Sequence, residues 1–349
     1  MEFLQVIFLL MLKNFDGSRT IFGAYHILNG KKTAQTIQDC RLFQLTHFFG
    51  VYKELDRDVV LEAMKQLVEK KFIRPCGENR FLITREGEAY LEEKLEDQPI
   101  SPHLNGFLYK DVDEIFWTRL VLLSQCLSHL KVEKMHFIPV IKDTRIQLWV
   151  KDKLRNGNFN VEELASNLYL ELKTLLQYFT NEEATIFVLR LSGVHRVGLT
   201  IDQIARELQL ERAYVKIIFK GVIHGILDIV NKDIELYPIL SGIFERVGDI
   251  NVLTETTQKT YKLLQKGLSL EEISSVRMLK QSTVEDHVVE VALNVKDFPI
   301  DRFVSPGKQE AILEIVKRLG TKRLKEIKKE CNEATSYFDI RLTIAKSEV

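Results

Sequence analysis

The chain has 349 residues, 45% hydrophobic and 28% charged, with 49 basic and 49 acidic side chains and therefore no formal net charge. That composition suits a folded globular protein of two or three domains and excludes a disordered chain, because ample apolar surface offsets chain entropy. Zero net charge also excludes a protein-wide basic field for nucleic acid, so any such binding must come from local patches.

The 17 glycines and 7 prolines are few, which suits long helices and short loops better than a sandwich or barrel. Cys40, Cys76, Cys126 and Cys331 show no C-x-x-C spacing and read as free thiols in a reducing compartment. The run Phe3 to Leu12 is almost wholly apolar. It is too short to span a bilayer and lacks the flanks of a signal peptide, so a buried first helix in a cytoplasmic protein is expected.

In chain order, Asp16-Gly17-Ser18 makes a turn before a helix from about Thr20 to Leu28. Thr33 can cap a third helix, and Asp56 begins a fourth with Val59, Val60, Met64, Leu67 and Val68 at helical spacing. Two short extended runs, Phe72-Ile73-Arg74 and Arg80 to Ile83, flank a turn at Pro75 to Asn79. Thr84 then caps a helix, and helices followed by a hairpin and a last helix make a winged-helix pattern over residues 1–97. Gln98-Pro99-Ile100-Ser101-Pro102 is the clearest linker.

A helical middle region over 103–250 follows. Thr180 with Glu183 is a capping box, Thr200 starts another helix, and Glu211 to Ile223 follows a short turn, so a helix-turn-helix is expected at about 180–225. The third module, 251–349, has helices from Thr257 to Gln265 and from a Ser269/Glu272 capping box, with Ile273 and Val276 turned inward. Ser282 or Thr283 opens the next helix, with Val284, Val288, Val291 and Ala292 buried. Helices Lys308–Leu319, Arg323–Lys329 and Tyr337–Ala345 complete it. The fold class is mainly α: a multi-module helical protein with an N-terminal winged-helix-like domain and helix-turn-helix domains.

The stretch Thr257 to His287 resembles the helix-turn-helix domain at the C-termini of many RecQ-family helicases. There a Gly closes the first helix, S-x-E-E-I-A-x-x-R forms the second and S/T-T-I/V-x-x-H begins the third. Gly267, Ser269-Leu270-Glu271-Glu272-Ile273, Arg277, Thr283-Val284 and His287 match, while Ser274 stands where Ala is usual. Arg19-Thr20, Tyr25 to Leu28, Gly30 to Asp39, Leu189 to Gly193 and Gly198-Leu199-Thr200 resemble the YpbB-like proteins of low-GC Gram-positive bacteria. Those proteins are encoded beside a RecQ-family helicase, so the resemblance implies an accessory role with such a helicase in DNA repair, recombination or replication.

Several side chains are candidates for contact with DNA. Early residues of a recognition helix reach bases or phosphates, which singles out Lys280, Gln281, Ser282 and Thr283, with Arg277 just before them. Glu285-Asp286 sets two carboxylates where phosphates would approach, so this helix either docks on protein or uses Lys280 and Gln281 alone. His287, with no partner at metal-ligand spacing, reads as a structural hydrogen-bonder.

Lys31, Lys32, Thr33, Gln35 and Thr36 adjoin a helix N-terminus, where backbone N–H groups favour an anion; the alternative is a polar turn. This segment lacks the earlier glycine and the strand of a P-loop. Arg80 marks the hairpin tip, and Arg212, Tyr214 and Lys216 are expected on an exposed face of the middle helix-turn-helix. Lys317, Arg318, Lys322, Arg323 and Lys325, with Lys328 and Lys329, face only Glu326 within their stretch and read either as a solvated helix face or as a patch for DNA or an acidic partner.

No catalytic constellation or cofactor motif emerges, and carboxylate pairs such as Asp111/Asp113 sit where a helix dipole accounts for them. The expected function is a non-catalytic DNA-binding adaptor acting with a RecQ-family helicase; the alternative is a helix-turn-helix transcriptional regulator.

Overall fold

The computed structural model describes residues 2–134, 136–156, 160–244, 253–295, 297–320 and 323–347. Among them are nineteen α-helices, one 3-10 turn and one antiparallel hairpin, so the protein is mainly α. In chain order the elements are α1 (Glu2–Phe15), α2 (Ile21–Leu28), α3 (Ala34–Leu42), α4 (Arg57–Glu69), β1 (Ile73–Gly77), β2 (Arg80–Ile83) and α5 (Arg85–Asp97). Then come α6 (Gly106–Tyr109), α7 (Asp113–Leu130), α8 (Thr144–Asn156), α9 (Val161–Leu176), α10 (Asn181–Leu189), α11 (Ile201–Glu207), α12 (Arg212–Lys232) and α13 (Pro238–Ile243). The last are α14 (Glu255–Gln265), α15 (Leu270–Arg277), α16 (Gln281–Asn294), α17 (Pro306–Leu319), α18 (Leu324–Glu330) and α19 (Tyr337–Lys346).

These elements form two compact units. The first takes residues 1–8 and 88–250; the second takes 9–87 and 251–349, with the boundaries falling inside α1 and α5. The two end modules that the sequence places at 1–97 and 251–349 thus fall largely into one unit, and the middle region falls into the other. Among the described residues no helix is long and apolar enough to cross a membrane. The apolar start is instead a buried helix, with Phe3, Val6, Ile7, Phe8 and Leu9 fully covered.

The first unit is organised on α12. Fourteen of its 21 residues are buried, and a helix apolar on all sides belongs in a core. Trp117 of α7 packs edge-on against Phe187 and Phe219, with ring centres 5.7 and 4.8 Å away. Asp113, the first residue of α7, turns its carboxylate to Lys220 at 2.5 Å and His224 at 3.2 Å. The Asn105 N–H donates to His224 Nδ1 at 3.0 Å, so the neutral ring donates to Asp113 from Nε2. Burial disfavours the charge on both groups; the His224 hydrogen bond and Lys220 outweigh it at Asp113, which stays below the usual carboxylate range, while His224 stays below 6.5.

In the second unit, most of the local signals at helix starts hold, the start of α16 excepted. Thr33 accepts from the Thr36 N–H, Asp56 from the Asp58 N–H, and Ser269 with Glu272 and Ser336 with Asp339 form full capping boxes. The hairpin pairs Ile73 with Ile83 and Arg74 with Leu82, and β1 runs on through Pro75 to a register shift before Gly77. A two-stranded ladder tolerates that proline because a strand edge need not donate at every residue. Val68 and Val276, placed inward by spacing, are exposed.

Candidate nucleic-acid interface

The C-terminal helix-turn-helix is α14, α15 and α16. Met278 takes a left-handed conformation (φ 50°), the Leu279 N–H returns to the Ser274 carbonyl at 3.0 Å, and the Ser274 hydroxyl donates to the Leu279 carbonyl at 2.5 Å. This tight turn makes Lys280 the residue before α16, so neither Ser282 nor Thr283 caps the helix; both lie in its first turn. The serine in place of the usual alanine is thereby satisfied within the turn.

The resemblance-bearing residues at this module's centre are structural. Arg277 donates to the Thr256 carbonyl at 2.6 Å, to the Thr256 hydroxyl at 2.9 Å and to the Thr260 hydroxyl. Its guanidinium therefore binds α15 to α14 and is not presented to DNA, contrary to its place among the candidates. His287 lies against the same threonines, with Nδ1 2.8 Å from the Thr260 hydroxyl. Burial, aided by the Arg277 charge, pushes its pKa down to about 4, so it is a neutral hydrogen-bonder. Glu290, fully buried, accepts from the Thr254 N–H at 2.6 Å and the Thr257 hydroxyl at 2.7 Å, which anchors the start of α14.

Only the tip of α16 is open. Lys280, Gln281 and Ser282 are exposed and Thr283 is half-buried, whereas Val284 and His287 to Ala292 are covered. The covering elements are α14, α15, α19 and α3. Arg341 of α19 ties them together: it pairs with Asp286 and donates to Gln38 Oε1 of α3 at 2.8 Å. Asp286 is thus taken up by an arginine of the same unit rather than left to repel phosphate. Beside the tip, the turn exposes Val276 (63%) and Met278 (94%).

A second surface of this unit gathers candidates that are far apart in sequence. A groove of about 1000 Å³ is lined by Thr33, Gln35 and Thr36, by Arg80 of the hairpin, and by Arg323 and Lys325 at the start of α18. Arg19, His26 and Tyr337 also line it, as do the carboxylates Asp39 and Glu326. At its floor sits Gly17 (φ +67°), where a Cβ would meet Cys76 Sγ at 3.0 Å and Leu82 Cδ2 at 3.3 Å; only glycine allows hairpin and turn to approach so closely. Lys31 and Lys32 are exposed at the α3 N-terminus.

Within the groove the roles divide. Arg80, Gln35 and Lys325 are exposed. Thr33 and Thr36 are occupied with each other, their hydroxyls 2.8 Å apart at the helix cap, so they shape the site rather than offer free donors. Arg323 is a clamp: it pairs with Glu326 at 3.1 Å and donates to the Asp16 carbonyl and, at 3.3 Å, to the Asp16 carboxylate. Reversing its charge would strip a contact of this unit as well as a cation. Arg19 holds buried Asp39 at 2.8 Å. Burial pushes the Asp39 carboxyl up, against Arg19 and the Gln35 amide, which favour its charged form.

The remaining candidates lie elsewhere. Lys317 and Arg318 are exposed on α17, and Arg318 pairs with Glu330 at 2.7 Å; neither lines the groove. Lys322 lies outside the described residues. Arg212 and Lys216 belong to the other unit, where Arg212 is exposed and pairs with Asp202 at 2.7 Å, and Lys216 is half-buried. Tyr214 is buried rather than exposed, edge-on to Phe3 at 4.9 Å with its hydroxyl donating to Glu182 at 2.8 Å. The α12 helix is too enclosed to enter a DNA groove beyond its first turn. Sequence reasoning missed Arg41 and Arg341, and held Arg19 only as part of a family signature; nothing local marks them, because their neighbours come from other helices.

Comparison with known proteins identifies the C-terminal module and the family. A family model described as a helix-turn-helix domain matches residues 256–344, from the start of α14 into α19. Protein YpbB of Bacillus subtilis (strain 168) is 32% identical over 347 residues, covering 99% of this chain and 98% of that protein. No solved structure matches. The helix-turn-helix module and the full-length similarity together show that the chain belongs to the YpbB family.

Proposed function

We propose that this chain is a non-catalytic DNA-binding adaptor that works with a RecQ-family helicase in DNA repair, recombination or replication. The observation that carries the DNA part is the groove that unites Arg80, Arg323 and Lys325 with Thr33, Gln35 and Thr36 in one unit. Phosphates suit such a surface: guanidinium and ammonium groups neutralise them, and the α3 N-terminus adds backbone N–H groups. The α2–α4 helices with their hairpin act here as a winged-helix-like module, with Arg80 on the wing. The groove is modest and the protein as a whole is neutral, so affinity gains from tethering to a partner that also holds DNA. The helicase-type helix-turn-helix supports that choice of partner. Its exposed turn, with Val276 and Met278, supplies apolar surface for docking.

The test is co-purification of the full chain with the helicase, beside DNA-binding titrations of wild type and Arg80→Glu/Lys325→Glu. Association with the helicase and salt-dependent binding lost in the double variant are expected. Absence of both would sink the reading. The exposed Lys280 and Gln281 favour a second reading, a transcriptional regulator; one tight sequence-specific duplex site without helicase association would establish it instead.

A further inference from the structure

The groove has a neighbour. A pocket of about 480 Å³ lies among α3, α16 and α19, within the size range of small-ligand sites. It shares Arg19, Gln35, Asp39, Leu324 and Tyr337 with the groove, so the two are continuous along one wall. Both mix polar and apolar side chains; in the pocket the apolar side is made by Val289, Leu293 and Ile344.

We propose that this pocket takes an unstacked nucleobase of a single DNA strand whose backbone follows the groove. The inference rests on the reading of the groove as a DNA surface and names the form of DNA it prefers. Three features of the pocket match a nucleotide. Apolar side chains accept the faces of a base. The guanidiniums of Arg19, Arg41 and Arg341 line it; Arg19 is paired with Asp39 and Arg341 with Asp286, and their further N–H groups can meet a phosphate. Tyr337, 46% exposed, stands at the junction of pocket and groove, where an aromatic ring can stack on a base.

Gln38 supplies the hydrogen-bond argument. It is 7% exposed, and its Oε1 accepts from Arg341 Nε at 3.1 Å and Nη2 at 2.8 Å. Arginine has donors only, so this fixes the amide orientation and leaves Nε2 as the remaining donor. That nitrogen is buried without a partner at the pocket wall. A buried unpaired donor is costly, and a base carbonyl is the kind of acceptor that would satisfy it. Inside a closed duplex the base faces are stacked and the pairing edges are occupied, so the pocket selects unpaired DNA.

The test uses the full chain, a labelled oligothymidylate and a blunt duplex of equal length at one moderate salt concentration. The single strand is expected to bind roughly tenfold more tightly than the duplex. Tyr337→Ala should weaken single-strand binding by roughly five- to tenfold and leave duplex binding unchanged, while Tyr337→Phe retains it. Gln38→Leu, close in size, should cost roughly threefold on the single strand alone. Equal affinity for the two DNA forms, or equal weakening of both by Tyr337→Ala, overturns the pocket and leaves the groove standing. Binding of neither form, even at low salt, overturns groove and pocket together. Displacement of the strand by micromolar thymidine monophosphate would assign the pocket to a free nucleotide and overturn the strand reading.

Discussion

The two helix-turn-helix stretches, α11–α12 and α15–α16, begin alike and end differently. Both first helices open with a capping box, Thr200 with Gln203 and Ser269 with Glu272. Both turns pass through a left-handed residue, Gln209 and Met278. The second helices diverge in what covers them. The α12 helix is enclosed over most of its length, while α16 keeps Lys280, Gln281 and Ser282 exposed and buries its body against α3, α14, α15 and α19. The lesson is that the motif describes a backbone path, and burial decides whether its second helix can meet a ligand.

The sharpest way to break this comparison is to put the same charge into each second helix. Val222→Asp, at a fully buried site of α12, should cost upwards of about 4 kcal/mol and unfold its unit, whereas Ser282→Asp should leave stability within about 0.5 kcal/mol and weaken DNA binding only on the regulator reading, in which α16 meets DNA. Denaturant titration checks the first, and stability with DNA titration checks the second. An intact Val222→Asp protein would show that α12 is not the core helix described.

Next comes pH. The folded pKa of His287, about 4, lies below its unfolded value near 6.5. Between these values the unfolded chain binds a proton that the folded chain refuses, so stability is full above pH 6.5 and falls on acidification until about pH 4. The loss between pH 6.5 and 5 should be on the order of 2 kcal/mol, and His287→Gln should flatten that part of the profile. An unchanged slope in the variant would remove His287 from the hub.

Arg277→Met should destabilise the helix-turn-helix by about 1–3 kcal/mol through the unpaired threonine groups, and chemical denaturation measures it. The same substitution at Arg212, whose ion pair is exposed, should change stability by less than about 1 kcal/mol. For the groove, Arg80→Glu/Lys325→Glu should lower the dependence of log affinity on log salt by about two, while Arg212→Glu leaves it unchanged. A salt slope that responds to Arg212 and not to the groove pair would move the DNA surface to the other unit.

Much of this was legible in the residues. Caps at Thr33, Asp56, Thr180, Thr200, Ser269 and Ser336 involve partners no more than three residues away, so spacing alone finds them. The buried stripe Val284, Val288, Val291 and Ala292 follows from helical periodicity. Periodicity failed at Val276, because α15 is only two turns long and its end projects into the exposed turn. It also failed at Tyr214, because a helix buried all round has no outer face to assign.

The sequence by itself determined the mainly α class, most helix starts, the hairpin and the family, since these depend on short-range hydrogen bonds and on similarity read residue by residue. Tertiary structure alone decided which basic residues share a surface. Arg323 reaches Asp16 across 307 positions and Arg341 reaches Gln38 across 303, and no local pattern encodes such pairs. That is why a chain with no net charge can gather cations in one groove: Arg80 and Lys325 converge there by folding, beside Arg19 and Arg323, which are held in ion pairs with Asp39 and Glu326.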